Sequence, residues 1–311
     1  MGLFRKVDDF QPLGAGRDFT IVTDDAKICD VLASEGFASV LWSPDLEVHE
    51  GDRILLALCH QLVSRAVRKQ FSPASVLVLP IFSFDDDDET ILYTLRMVFE
   101  TDYADACRNN REWIDMLTNK PDGVLQFAGD NTDLRCRLHE NIRANTSLDL
   151  EITKGEWVSV ADYCEVSVTA PSQSDWLGAF TIDGCAEAVG VLVAEDSRVT
   201  DAGRERIRAA KRLREELVEN APIRLVVKEG VLCEAIVAGR DRSEEISEVV
   251  NPHYGLHTLE LGLGSNPSIA PLVDWSFNSQ LNEGVGKVHL GFGEGITGAH
   301  MDFIIDGVTV S

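Results

Sequence analysis

Three short segments near the carboxyl end of the chain place metal-binding side chains at alternate positions. They read "LELGLG" at 259–264, "VHLGFG" at 288–293 and "HMDFI" at 300–304. Successive side chains of a strand point to opposite faces, so the apolar residues of each segment share one face. The other face carries Glu260, His289, His300 and Asp302. Two imidazoles and two carboxylates suit one divalent ion such as Zn(II), Mn(II), Co(II) or Fe(II).

Glycines fill the remaining positions on that second face. They are Gly262, Gly264, Gly291 and Gly293. Because glycine has no side chain, it leaves space beside a ligand and lets another backbone come close. We therefore expect a pocket over these strands, with room for an ion, its water and a substrate. The alternative interpretation is a bulge or a tight barrel corner that binds nothing.

Other ionisable groups favour structural roles. The four aspartates at 85–88 precede an apolar stripe at helical spacing, and acidic residues at a helix N-terminus complement its dipole. Metal binding by these aspartates is the less favoured interpretation. His60 follows Cys59 in an apolar segment, which predicts a core position. His253 and His257 are predicted to be surface or hydrogen-bonded histidines and not further metal ligands.

The elements that must position the candidate ligands fall into two regions. Residues 1–122 alternate between helix and strand signals and include "ASVLVLPIF", an apolar run typical of a strand buried on both faces. Residues 123–311 read mainly as strands, including 148–160, with a charged helix at about 201–220 and a hairpin turning at Glu229 and Gly230. We predict an N-terminal α/β domain (1–122) with a mostly parallel sheet, and a β-rich domain (123–311) carrying the site. The fold class is thus α/β, or α+β overall.

The charge of the chain restricts its partners. It has 52 acidic and 28 basic residues, a formal net charge of -24. Nucleic acid and anionic membranes should be repelled, whereas a basic peptide would be attracted. No apolar stretch approaches the length of a membrane span, the N-terminus lacks a signal core, and the seven cysteines form no CxxC pair. A cytoplasmic location is expected.

The segments "LELGLGSNP", "LNEGVGKVHLGFG" and "HMDFII" resemble, in order and spacing, part of a known family. This is the C-terminal region of the metallo-aminopeptidases that include aminopeptidase T and aminopeptidase S. They also resemble its relative, 2,5-dihydroxypyridine 5,6-dioxygenase. With the weaker upstream matches "TDLRCRL" and "IRLVVKEGVLCEAIVAG", the resemblance covers about residues 125–311. It implies metal ligands at Glu260, His289, His300 and Asp302, a peptide substrate and a homodimer.

The resemblance also assigns further residues and shows departures. Asn282 and Glu283 fall where the family has an acidic pair, so Glu283 is the candidate general base or partner of a ligating histidine, with a surface acid as the alternative. The family takes an earlier glutamate from a Gly-Glu-Val-Phe-Thr-like segment. The nearest stretch, "LGAFTID", places Ala179 there, with Asp183 or Glu187 as substitutes. A tyrosine that follows the family's histidine has no counterpart in "HLGFGEGITG".

Three functions stay open at the level of sequence. The first is a mononuclear metal-dependent hydrolase of peptide-like substrates, in which the ion polarises a carbonyl and lowers the pKa of its water to about 7. The second is a non-catalytic peptide-binding accessory protein, for example in peptide modification or natural-product biosynthesis, which the missing glutamate and tyrosine favour. The third is an Fe(II) ring-cleaving dioxygenase, which Glu260 disfavours because the dioxygenase has a histidine at that position.

Overall fold

The fold consists of a parallel sheet and a larger antiparallel sheet with helices against both, which confirms the predicted mixed α/β class. The computed structural model describes residue 4 and residues 10–14, 18–120, 122–140, 142–171 and 176–311.

The strands are, in chain order, β1 (Thr20–Thr23), β2 (Ser39–Leu41), β3 (Arg53–Leu58), β4 (Ser75–Pro80), β5 (Val124–Gly129), β6 (Thr132–Leu138), β7 (Arg143–Asn145), β8 (Trp157–Ser159), β9 (Glu165–Thr169), β10 (Phe180–Ala194), β11 (Ile223–Lys228), β12 (Val231–Val237), β13 (Arg240–Asp241), β14 (Thr258–Gly264), β15 (Val288–Phe292), β16 (His300–Ile305) and β17 (Thr309–Val310). The α-helices are α1 (Ala26–Ser34), α2 (Arg65–Gln70), α3 (Asp88–Glu100), α4 (Tyr103–Asn119), α5 (Val160–Cys164), α6 (Asp201–Glu219) and α7 (Ser243–Val249). Short 3-10 helices span Gln11–Leu13, Ile81–Ser83, Trp176–Gly178, Pro267–Leu272 and Gln280–Val285.

The parallel sheet has five strands in the order β2-β1-β3-β4-β8. Its central strands are apolar throughout because both faces are covered. In β3, Leu55 and Ala57 pack with α1 and α3, whereas Ile54 and Leu56 pack with α2. The sheet therefore needs helices on both sides.

Side-chain caps fix where several of these helices begin. Asp87 caps α3, because its carboxylate accepts hydrogen bonds from the backbone N–H groups of Glu89 and Thr90. The expectation that the aspartates at 85–88 mark a helix N-terminus is thus confirmed. In the same way Asp25 caps α1 and Thr200 caps α6.

The second sheet has 12 strands, and its main path runs β13-β12-β11-β10-β16-β15-β14-β9-β7. The pairs along this path are antiparallel. One face packs Leu261, Leu290 and Phe303 in a common core with apolar residues of α6 and α7. On the opposite face, Ile304 of β16 packs against Phe84 of the N-terminal region. The candidate ligands lie on this opposite face.

Two sequence predictions about local structure are wrong. Of residues 148–160, only β8 is a strand, and it pairs with β4 in the parallel sheet. His60 is not a core residue: 43% of its side chain is exposed, and its ring contacts the carboxylates of Asp25 and Asp86. The domain division near residue 122 stays a prediction, to which the structure adds that β8, from beyond it, completes the N-terminal sheet.

Among the helices of the described residues, none has the length and apolar composition that a membrane span requires.

Candidate metal centre

The centre lies on three neighbouring antiparallel strands, β14, β15 and β16. Their register places Glu260 beside Gly291 and Gly291 beside Asp302, which forms one row across the sheet. The next row runs from Gly262 to His289. Side chains that are direct neighbours across a strand pair stand about 4.5–5.5 Å apart. Each candidate ligand in these two rows therefore has a glycine as its neighbour.

The glycines seat the ligands themselves. A Cβ atom on Gly262 would lie 1.9 Å from Cε1 of His289 and 2.0 Å from its Nε2, so the imidazole occupies the volume that a side chain would fill. Similarly, a Cβ atom on Gly291 would lie 2.7 Å from Cε1 of His300 and 2.8 Å from Oδ1 of Asp302. This corrects the expectation that these glycines leave open space for an ion and a substrate, because ligand side chains fill that space.

His300 joins Glu260 and Asp302 at the centre. Its Nε2 lies 3.0 Å from Oδ1 of Asp302 and 3.4 Å from Oε2 of Glu260. Its Nδ1 lies 2.6 Å from the carbonyl oxygen of Gly293 and donates a hydrogen bond to it. An imidazole held in this way presents the Nε2 lone pair of its neutral form, as metal-bound histidines do.

Glu165 is the member of the centre that sequence reasoning missed. It begins β9, pairs with Gly264 of β14, and places Oε2 3.4 Å from Nε2 of His289. Glu165, Glu260 and His289 each offer one ligand atom, and these atoms lie within 4.8 Å of one another. The available signal was the "EVSVT" stretch, which begins with a Glu-Val pair. The resemblance instead aligned the Glu-Val pair of the family with "LGAFTID".

The residues that the resemblance assigned to the family's earlier glutamate lie outside the centre. Ala179 is buried in the core of the antiparallel sheet. Asp183 accepts a hydrogen bond from the backbone N–H of Glu229 in a hairpin turn, and Glu187 pairs with Arg224 across β10 and β11. None of these three residues is therefore part of the centre, whereas Glu165 is.

Burial and charge distinguish the centre from a surface cluster. The side chains of His289 and Asp302 are 2% and 1% exposed. Oδ2 of Asp302, Oε2 of Glu165 and Nδ1 of His289 are buried without a hydrogen-bond partner among the described residues, and Oδ1 of Asp302 has Nε2 of His300 as its near contact. The described ion pairs join none of the carboxylates at the centre to a lysine or an arginine. A buried polar atom without a partner is costly, so this arrangement favours an additional cation.

Glu260 and His300 are the two partly exposed members of the centre, and the contact between them shifts the pKa of each. Burial opposes ionisation of Glu260, but the hydrogen bond and charge of His300 outweigh it and lower the pKa of Glu260 to about 2. Burial also opposes protonation of His300, but Asp302 and Glu260 outweigh it and raise the pKa of His300 well above its usual value. In the absence of an ion, a protonated His300 supplies part of the missing positive charge.

Glu283 lies on the 3-10 helix Gln280–Val285 and is buried at 8% exposure. Burial and the charges of Glu165 and Asp302 raise the pKa of Glu283 well above its usual value. Burial, together with Glu260 and Asp302, does the same for the pKa of Glu165. Glu283 is therefore a neighbour of the centre and not the surface acid of the alternative interpretation.

The two other candidate histidines lie outside the centre. His253 is exposed and packs its ring edge-on against Tyr254, with 4.7 Å between the ring centroids. His257 is half-buried and forms an isolated bridge with Val231. Neither histidine is among the described ion pairs of the centre.

The residues present fit a divalent ion. Carboxylate and imidazole groups are the donors that Zn(II), Mn(II), Co(II) and Fe(II) share, and the buried atoms without partners are on such groups.

Several solved structures are similar to this chain, among them two at low sequence identity. The 2,5-dihydroxypyridine dioxygenase of Pseudomonas putida KT2440 is 11% identical, with a TM-score of 0.49 over 95% of this chain and 88% of that one. AmpT of Thermus thermophilus is 14% identical, with a TM-score of 0.46 over 94% of this chain and 89% of that one. No curated protein sequence matches the chain.

Comparison with protein families gives a match over residues 16–311, which is almost the whole chain. The family is described as crocagin biosynthetic protein CgnE/B. It is not the aminopeptidase T family that the C-terminal segments resemble, so the family expected from those segments is corrected. The chain belongs to the crocagin biosynthetic protein CgnE/B family.

Proposed function

We propose that this protein binds a peptide during crocagin biosynthesis, and that one divalent ion held at the buried centre takes part in that binding. Glu165, Glu260 and His289 would hold the ion, with His300 and Asp302 beside them. The family supplies the biosynthetic context. The negative net charge favours a peptide with basic residues over nucleic acid or an anionic surface.

The observation that carries the metal site is the set of buried ligand atoms without partners. Oδ2 of Asp302 and Oε2 of Glu165 are buried without a hydrogen bond, and the described ion pairs give these two carboxylates histidine contacts but no lysine or arginine. Several carboxylates buried with so little positive charge beside them are costly. A bound divalent ion would satisfy several of these oxygens at once.

The peptide would reach the centre from the side of Glu260 and His300. Their side chains are 20% and 19% exposed, whereas the other three groups are nearly closed to solvent. A bound ion supplies a Lewis acid at which a peptide carbonyl or amine can bind. The protein's own groups orient the two histidines: Gly262 seats His289, and the carbonyl of Gly293 orients His300.

Hydrolysis of the bound peptide is the second candidate function. Glu165 favours it, because a further carboxylate beside Glu260 and His289 could play the part of the glutamate that "LGAFTID" lacks. The absence of a tyrosine from "HLGFGEGITG" argues for binding without cleavage, since that segment offers no phenolic hydroxyl to stabilise a developing oxyanion. A general base would come from Glu283, buried beside the centre.

Metal analysis and peptide binding test these proposals together. Protein purified without chelator should contain about one equivalent of a divalent metal, and His289→Ala should lose most of it. Fluorescence anisotropy against labelled basic and apolar peptides should then detect binding that EDTA weakens and added metal restores. Mass spectrometry of the same peptides after incubation detects cleavage.

His253→Ala is the matched control, since it removes an exposed histidine outside the centre and should retain both metal and peptide. If metal-free protein still bound peptide tightly, the proposed metal centre would be rejected and the proposed peptide binding would stand. Intact peptides in the presence of bound metal would reject hydrolysis.

A further inference from the structure

We propose that Ser167 is a positioning residue that fixes how Glu260 presents its carboxylate to the metal ion. This inference rests on the proposed metal centre and adds a residue that is not itself a ligand. The hydroxyl of Ser167 donates a hydrogen bond to Oε1 of Glu260. The other oxygen, Oε2, faces Nε2 of His300 at 3.4 Å. The two oxygens of Glu260 therefore have different partners.

The sheet register brings Ser167 to this place. On β9, Ser167 follows Glu165 by two residues, so both side chains project from the same face. Ser167 pairs with Gly262, the glycine that seats His289. Glu260 lies two residues before Gly262 on β14, so it is the diagonal neighbour of Ser167 on the same face and within reach of the serine hydroxyl. One short strand thus supplies a ligand candidate and the group that orients another.

A single hydroxyl restricts the carboxylate because it has one proton to donate. With Oε1 held by the serine, Oε2, on the side of His300, would be the oxygen that Glu260 presents to the ion. Glu260 is one of the more exposed members of the centre. Without the hydrogen bond from Ser167, its carboxylate can turn toward solvent or offer both oxygens to the ion. Groups that orient a ligand from outside the coordination sphere typically change metal affinity 10- to 100-fold.

Cobalt(II) titration of the full-length chain tests this role. Affinity is measured by competition with a chelator, and the visible absorption of bound Co(II) reports its coordination geometry. Ser167→Ala should bind Co(II) about 10- to 100-fold more weakly and shift the absorption spectrum. Ser167→Thr keeps the hydroxyl and should restore both properties. Ser167→Val matches threonine in shape but lacks the hydroxyl, so it should behave like alanine even if one small substitution disturbs folding.

Thr90→Ala is the control away from the centre. It also removes a hydroxyl that donates to a carboxylate, here Oδ2 of Asp87 at 2.7 Å, and should leave Co(II) binding unchanged. Equal affinity and identical spectra in the wild type, Ser167→Ala and Ser167→Val would overturn the role of Ser167 while leaving the metal centre intact. A wild-type chain that binds no Co(II) would overturn both proposals.

Discussion

Replacing Gly262 with alanine tests directly whether His289 is a ligand seated by a glycine. The added methyl group would lie 1.9 Å from Cε1 and 2.0 Å from Nε2 of the imidazole, whereas ordinary contacts begin near 3.4 Å. The ring must therefore move by about 1.5 Å, or the two strands must separate. His289 is buried at 1% exposure, so it has little room to move.

The size of that shift sets the expected effect. Metal–nitrogen bonds are about 2.0–2.1 Å long and tolerate deviations of only about 0.2 Å, so a ring displaced by about 1.5 Å no longer coordinates. We expect metal affinity to fall by at least about 100-fold. Overpacking of a buried site also costs about 1–3 kcal/mol of stability, so the metal-free protein should unfold at a lower urea concentration.

The assay is calorimetric titration of metal-free protein with Zn(II), alongside urea unfolding. Gly190→Ala is the matched control: its Cβ would lie 2.2 Å from the indole of Trp275, so it overpacks a half-buried side chain that is not a candidate ligand. This variant should lose stability and keep its affinity for metal. If folded Gly262→Ala bound Zn(II) as tightly as the wild type, His289 would not be a ligand in the position described.

Three further predictions concern the supporting structure. Arg214→Met should lower the free energy of unfolding by about 2–4 kcal/mol in urea titrations, because the buried guanidinium donates to the backbone carbonyls of three residues, Val191, Trp275 and Ser276. Asp87→Ala should cost about 1 kcal/mol in the same assay, since it removes the cap of α3. The hydrogen bond to Asp25 raises the pKa of His60, so the contribution of His60 to stability is full below about pH 6.5 and is lost as the pH rises through the raised value. The difference in urea midpoint between wild type and His60→Ala should therefore shrink from pH 6 to pH 9, and a constant difference would contradict this assignment.

Local pattern was sufficient for much of the fold. The charged helix predicted at about 201–220 corresponds to α6 at Asp201–Glu219, and the hairpin predicted at Glu229 and Gly230 is present, with both residues at positive φ. These features depend on residues close in sequence: an apolar stripe at helical spacing, a side-chain cap, or a glycine in a tight turn. Whether residues 148–160 form a strand depended on which strand they could pair with, and the local sequence does not specify that partner.

His60 shows the same limit for a single side chain. Its apolar neighbours in β3 predicted burial, but it follows the end of that strand, and its ring is exposed between Asp25 and Asp86. Position at the end of a strand, together with two carboxylates from other segments, decided its environment. The hydropathy of the flanking residues could not predict that environment.

For the centre, the sequence alone determined that Glu260, His289, His300 and Asp302 share a face with glycines, because alternation along a strand is a local property. Only the tertiary structure decided that Glu165 and Ser167 join them, since the pairing of β9 with β14 brings together residues nearly 100 positions apart. It also decided that the glycines hold imidazole rings instead of an open pocket, because register determines which side chain lies over each glycine.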